Sequence, residues 1–152
     1  MRSTNRFVAL VVISFTVTPI SAFCSGAKVL EDQNIEALEA KASQAQPREQ
    51  CFLYAQLVNQ LTEMSVRKYA SGDIEKADGL LQHIQQLSQK IHLSLAGNDK
   101  RLKNAEILLS NTAFRLNEML HASDYDRRSL VEATLAQVNQ AQNEAMMQVF
   151  QK

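Results

Sequence analysis

Glu118 and His121 have the clearest metal-binding spacing in the chain, because they form a Glu-x-x-His motif. On a helix these side chains lie about one turn apart, so a carboxylate oxygen and an imidazole nitrogen could share one metal ion. Carboxylate-bridged di-iron bundles use this motif twice, with further glutamates from two other helices, and the sequence has no second copy. We therefore expect no bound metal, and we keep Glu118 and His121 as the candidate ligands if the protein is a metal carrier.

The sequence motifs of common enzymes are absent. The chain has no Gly-x-Ser-x-Gly turn, no His-Glu-x-x-His, no glycine-rich phosphate loop and no Cys-x-x-Cys-His haem attachment. His83 and His92 flank apolar positions rather than occupying them, which is typical of solvated helix edges. We expect no catalytic residues, no cofactor-binding residues, no cofactor and no enzymatic activity.

Cys24 and Cys51 are the two cysteines of the chain. An even number of cysteines in an exported protein first suggests a disulfide, and this one would enclose 26 intervening residues. However, Cys51 lies on an apolar helical stripe, where a cysteine is usually a small hydrophobic residue. The disulfide and the two separate thiols both remain open interpretations.

The first 22 residues are typical of an export signal. Arg2 and Arg6 precede an apolar run over 7–17, and the small residue Ala22 ends a short polar exit. We predict a signal peptide over 1–22 that is cleaved after Ala22. The protein is then exported, to the periplasm or beyond the cell.

Three alternatives to this cleavage remain. The segment could be a retained membrane anchor, although it is short for a spanning helix, which needs about twenty predominantly apolar residues. Lipid attachment at Cys24 would tether the chain to a membrane, and cleavage after Ala27 would remove that cysteine. We expect membrane association only if the signal is retained or Cys24 is lipidated.

Composition after the signal favours one helical domain. The remaining 130 residues contain 14 Lys and Arg against 16 Asp and Glu, so bulk charge does not attract nucleic acid or anionic membranes. They contain a single proline, Pro47, and four glycines. So few helix breakers over this length favour long helices.

The breaks between helices recur at a fixed interval. Alanines at 70, 96 and 122 each stand beside residues that end one helix and begin the next. Gly72 can adopt the positive φ found just past a helix end, and Asp73 can cap the following helix by accepting from its free N–H groups. These breaks predict helices at about 47–70, 73–96, 99–121 and 125–150.

Between these breaks, apolar residues recur every three or four positions, which is typical of helices with one buried face. The stripes are Cys51, Tyr54, Val58, Leu61, Ser65 and Lys68 or Tyr69; Ala77, Leu81, Ile84, Ser88, Ile91 and Leu95; Leu102, Ala105, Leu109, Thr112, Leu116 and Met119; and Val131, Leu135, Val138, Gln142, Ala145 and Val149. We predict an all-α fold in which 47–152 is an antiparallel up-down-up-down four-helix bundle. The segment 23–46 is expected to be a linker or a short extra helix.

Polar residues interrupt the stripes at two heights. In an antiparallel bundle Ser65 falls near the height of Thr112, and Ser88 falls near that of Gln142. Such pairs could fix the register of the helices. Alternatively, the hydroxyls bond to carbonyls of their own helix and Gln142 reaches solvent, which we favour.

Neutral amides are unusually frequent on two of the outer helix faces. They are Gln82, Gln85, Gln86, Gln89, Gln137, Gln140 and Gln148. Lightly charged faces of this kind can pack against another chain, although a general composition bias would give the same pattern. From the sequence we expect a non-enzymatic protein-interaction or structural module of the bacterial cell envelope, with a protein partner or self-association. The alternative is a small-ligand or metal carrier bundle.

Overall fold

The computed structural model describes residues 24–95 and 101–150, and in these residues all regular structure is helical. The helices are α1 (Cys24–Gln44), α2 (Pro47–Ala70), α3 (Ile74–Ser94), α4 (Leu102–Ala122) and α5 (Tyr125–Phe150). The prediction of an all-α helical bundle is confirmed. The segment expected to be a linker or a short helix forms the 21-residue helix α1. The predicted signal peptide and its cleavage site after Ala22 lie outside the described residues.

The turn between α2 and α3 closes through backbone hydrogen bonds. Gly72 adopts a φ of 78°, which a glycine tolerates without the steric penalty of a side chain. Its N–H donates to the carbonyl of Tyr69, and the N–H of Asp73 donates to the carbonyl of Lys68. The Asp73 side chain makes no capping hydrogen bond and pairs with Lys68 at 3.6 Å instead. The predicted side-chain cap at Asp73 is therefore wrong, because the neighbouring lysine takes the carboxylate.

The predicted stripes of α2, α3 and α4 form the core. The stripe positions in these three helices are buried, from Cys51 in α2 to Met119 in α4, except the last one of α2, where Lys68 and Tyr69 are only half-buried. Leu57, Leu87 and Ala113 are also buried and widen the apolar faces. Burial of these faces, at roughly 25 cal/mol per Å² of apolar surface, is the main term that stabilises the bundle.

Helix α5 is rotated relative to its predicted stripe. Thr134 and Ala141 are buried, whereas the predicted core positions Leu135 and Gln142 are only half-buried. Thr134 accepts a hydrogen bond from Gln85 of α3 at 2.8 Å. The rotation therefore turns small side chains toward α3 and leaves the larger ones beside them at the edge of the core.

Helix α2 packs against α1, α3 and α4, and α5 packs against α3 and α4. Within the described residues, no Cα atom of α3 comes within 8 Å of one of α4, although the two helices are consecutive in the chain. Asp78 of α3 bonds Arg127 of α5, and further along both helices Gln85 bonds Thr134. The residue numbers of the paired residues therefore rise in the same direction. Helices α3 and α5 are therefore parallel neighbours.

Helix α1 packs on α2 and reaches α3 with acidic side chains. Ile35 and Ala42 are its buried apolar residues. Asp32 lies 3.7 Å from Lys76, and Glu39 lies 3.3 Å from His83. Residue numbers again rise together in these pairs, so α1 runs parallel to α3 and antiparallel to α2.

This packing of α1 bears on the predicted Cys24–Cys51 disulfide. Cys24 begins α1 and Cys51 lies near the start of α2, so antiparallel packing separates them by roughly 25 Å along the helix axes at 1.5 Å per residue. A disulfide needs Cα atoms within about 7 Å of each other. Cys51 is buried, and nothing is described of the Cys24 side chain. The disulfide stays a prediction that this position of α1 argues against.

None of the helices in 24–95 and 101–150 combines the length and the apolar character that crossing a bilayer needs. The alternative of a retained anchor concerns the segment before Cys24 and stays untested.

Candidate functional site

Glu118 and His121 lie in the last turns of α4, and both are exposed. Glu118 Oε2 accepts a hydrogen bond from Nη1 of Arg115 at 2.6 Å, so its carboxylate is part of an ion pair. No group of three or more His, Cys, Asp or Glu side chains suited to a metal ion occurs in the described part of the chain. The structure brings no further ligand to these two candidates.

Arg115 also bonds α2. Its Nε donates to Oε1 of Glu63 at 2.9 Å, and the guanidinium thereby joins Glu63 to Glu118. The hydrogen bond to Glu63, followed by that to Glu118, raises the pKa of Arg115 above its ordinary value. Glu118 therefore belongs to an ion-pair network that joins α4 to α2.

An apolar pocket of about 390 Å³ lies beside this ion pair. Val66 and Tyr69 of α2 face Met119 and Ala122 of α4 across it. Such a pocket has the size and the character of a site for a small apolar molecule.

The buried polar residues of the core bond mainly to their own helices. Ser88 donates to the carbonyl of Ile84 at 2.8 Å, and Thr112 donates to that of Leu108 at 2.8 Å. The exceptions are Thr62, whose hydroxyl has no hydrogen-bond partner in the described residues, and Ser65.

The hydroxyl of Ser65 donates to the carbonyl of Ala77 in α3 at 3.1 Å. Gln142 donates to Glu106 at 3.4 Å. Neither of the two predicted polar layers forms a direct pair.

Three of the seven glutamines named above come together, because α3 and α5 are parallel neighbours. Gln89 of α3 and Gln137 and Gln140 of α5 line one depression of about 290 Å³ between the two helices. We call this depression the α3/α5 groove. Leu93 is its exposed apolar residue, and Ser88, His92, Ala141 and Glu144 complete its wall.

A hydrogen-bonded network marks one end of the α3/α5 groove. His92 Nδ1 lies 2.6 Å from Oε2 of Glu144, and Gln140 donates to Oε1 of the same carboxylate at 3.0 Å. Burial of Glu144 raises its pKa, but the hydrogen bonds from His92 and Gln140 outweigh that effect and hold the pKa below its ordinary value. The groove therefore contains an ionised carboxylate at neutral pH.

Gln137 lies in the groove wall with a buried carbonyl oxygen. Its Oε1 atom is inaccessible to solvent and has no hydrogen-bond partner within the described residues. A buried carbonyl oxygen without a partner costs on the order of 1–3 kcal/mol. A donor in the groove would reach this oxygen only after rotation of the Gln137 side chain.

The sequence pointed to the glutamines of this groove but not to its other residues. His92 is predicted as a solvated edge residue, and its side chain is 57% exposed, but its contact with Glu144 is not visible in the sequence. The sequence does not single out Ala141 or Glu144. Their spacing was a usable signal, since residues 137, 140, 141 and 144 follow one helical face. Only the pairing of α3 with α5 shows that this face meets Gln89 and His92.

The groove can bind through hydrogen bonds and charge, but it has no nucleophile activated by a base. Ser88, its hydroxyl residue, donates to the carbonyl of Ile84 in its own helix. Comparison of the chain with protein-family models, with curated proteins and with solved structures finds no match. The proposals below rest on the residues and their geometry.

Proposed function

We propose that the protein is an exported, non-enzymatic interaction module of the bacterial cell envelope, and that it binds a protein partner in the α3/α5 groove. One observation carries this proposal: the neutral amides of two helices, which are separated in the sequence, line a single open depression. A general composition bias accounts for many glutamines, but it does not account for their convergence beside Leu93 and Glu144.

The chemistry of the groove suits a polypeptide. A glutamine side chain both donates and accepts hydrogen bonds, so Gln89 and Gln140 can bond the peptide groups or polar side chains of a partner. Leu93 is 78% exposed, and it offers apolar contact area at the same place. Apolar surface with convergent polar groups is typical of a binding site.

We further propose that α2 to α5 form an up-down-up-down four-helix bundle to which α1 is added. The contacts that support it are those of α2 with α3 and α4, and of α5 with α3 and α4. In this arrangement α3 and α4 stand at opposite corners. The parallel seam between α3 and α5 is then an outer surface of the bundle, open to a partner.

Affinity capture from an envelope extract with matched variants tests the function. The purified protein serves as bait beside Q89A/Q140A, which removes two groove amides, and Q33A/N111A, which removes two exposed amides elsewhere. We expect a specific partner, identified by mass spectrometry, to bind the unmodified protein and Q33A/N111A but not Q89A/Q140A. Capture of the same proteins by all three baits, or of none, would contradict the proposal.

A small-ligand carrier is the second candidate, because the pocket beside Arg115 and Glu118 encloses about 390 Å³ of mainly apolar space. A carrier gains stability from its ligand by RT ln(1 + [L]/Kd), which is about 2.7 kcal/mol at a hundredfold excess over Kd. A rise in Tm with small apolar molecules that is lost in M119Q would favour it. Metal analysis of the purified protein tests the metal carrier, with Glu118 and His121 as ligands.

A further inference from the structure

We propose that the α3/α5 groove binds a basic side chain of the partner, an ammonium or guanidinium group on an apolar stem. This inference rests on the proposed function, namely that a protein binds in this groove. It adds the chemistry of the recognised group, which follows from the carboxylate acceptor, the apolar wall and the charges that line the groove.

The acceptor comes from α5. Glu144 presents a carboxylate on a side chain that is 22% exposed. An ammonium has only donors, and a guanidinium likewise has no acceptor. A basic group therefore complements this carboxylate, whereas the carboxylate would repel an anionic group.

The apolar wall fits the stem of a basic side chain. Lysine and arginine carry three or four methylene groups, which pack on apolar surface while the charged end stays at polar partners. Leu93, which is largely exposed, provides such a surface at the groove. The groove is partly open to solvent and offers about 290 Å³, which accommodates one extended side chain.

The charges around the groove leave room for a cation. No lysine or arginine is among its lining residues in the described chain. His92 is the one basic residue that bonds Glu144 there, and its side chain is 57% exposed. Because His92 lies mostly in solvent, it can turn away with little loss of packing, and the incoming group then takes its place at the carboxylate.

Titration by two-dimensional NMR tests this exchange on the purified protein. The probe is a short Gly- and Ser-rich peptide with one central lysine, and the matched probe carries acetyl-lysine, which has the same stem without the charge. We expect the lysine peptide to bind with a millimolar or lower Kd and to shift the side-chain amide signals of Gln137 and Gln140. Equal binding of both peptides, or shifts only outside the groove, would overturn the proposal.

Variants separate the role of each group. We expect E144Q to weaken the lysine peptide at least tenfold, because it removes the charge but keeps the shape of the side chain. We expect H92A to keep or strengthen binding, since the residue that competes for the carboxylate is gone. The exposed Glu132 provides the control E132Q, which should bind as the unmodified protein does. Unchanged binding by E144Q would overturn the proposal.

The same variants distinguish this inference from the proposed function. If the partner binds in the groove but E144Q and the unmodified protein capture equal amounts of it, the proposal of a basic side chain is wrong. The proposal of the interaction site then stands. If the lysine peptide binds at Glu144 but the partner is captured equally by Q89A/Q140A, both proposals fail, because the partner then binds outside the groove. Loss of partner capture in E144Q together with lysine-specific shifts supports both.

Discussion

His92 Nδ1 lies 2.6 Å from Oε2 of Glu144, and this contact joins the end of α3 to a residue 52 positions later in α5. It repeats a parallel pairing that begins at the other end of the two helices, where Arg127 donates to Asp78 at 2.6 Å. Between these two contacts the helices leave the α3/α5 groove, so the proposed binding site depends on their side-by-side packing.

The ionised state of Glu144 contributes to the stability of the folded protein, and this contribution is lost at low pH. Because its pKa in the folded protein lies below the ordinary value, the contribution is present above the unfolded pKa of about 4.3 and is lost as the pH falls through the folded pKa. We expect E144Q to lower the free energy of unfolding by up to about 1 kcal/mol at pH 5.5, and by less at pH 3. Urea unfolding across this range measures the difference, and an equal loss in E144Q at pH 5.5 and at pH 3 would contradict this prediction.

Gly72 and Gly79 should respond in opposite directions to substitution by alanine. Gly72 has a φ of 78°, so G72A is expected to destabilise the protein by about 1 kcal/mol through backbone strain. Gly79 is exposed within α3, and an added Cβ would meet no atom within 4 Å. G79A should therefore stabilise the protein by about 0.5–1 kcal/mol. Thermal unfolding of both variants checks the signs, and two changes of the same sign would contradict the assigned turn.

Two buried threonines offer a second matched pair. Thr62 Oγ1 is buried without a hydrogen-bond partner in the described residues, whereas Thr112 Oγ1 accepts from Asn59 at 3.2 Å and donates to Leu108. T62V replaces an unsatisfied hydroxyl by a methyl group, so we expect no loss or a gain of about 1 kcal/mol. We expect T112V to lower the free energy of unfolding by about 1 kcal/mol. Chemical unfolding measures both variants, and a lower free energy of unfolding for T62V than for T112V would contradict the hydrogen bonding described here.

Cross-linking tests the order of the helices around the bundle. Asp78 pairs with Arg127 of α5, so we expect D78C/R127C to form an intramolecular link with a short bis-maleimide reagent. The control D78C/E118C joins α3 to α4 at a similar height, and no Cα atoms of these two helices approach within 8 Å in the described chain. Mass spectrometry of the digested protein identifies the link. An efficient link in D78C/E118C with none in D78C/R127C would place α4 beside α3.

Much of the fold was predictable because helix breaks and apolar periodicity are local signals. The predicted helix over 47–70 coincides with α2, and that over 125–150 coincides with α5. The predicted stripe of α3 is buried throughout, since a spacing of three and four residues selects one face whatever lies opposite.

Tertiary partners were less accessible to sequence reasoning. In α5 both Leu135 and Thr134 fit the helical period, and the larger apolar residue was the natural choice for the core. The structure buries Thr134 because Gln85 of α3 donates to its hydroxyl. Periodicity says which face of a helix is buried, but it does not say which helix covers it, so the groove beside Ala141 could not be located beforehand.

The central claim is that a protein partner binds in the α3/α5 groove, and photo-cross-linking in living cells tests it most directly. A photoreactive amino acid is placed at Gln89 or Gln140 in the groove, and at the exposed residues Gln33 or Asn111 as controls. We predict that illumination yields one adduct of the same mass from both groove positions and none from the control positions. Adducts from Gln33 or Asn111 alone, or the absence of any adduct at Gln89 and Gln140, would contradict the claim.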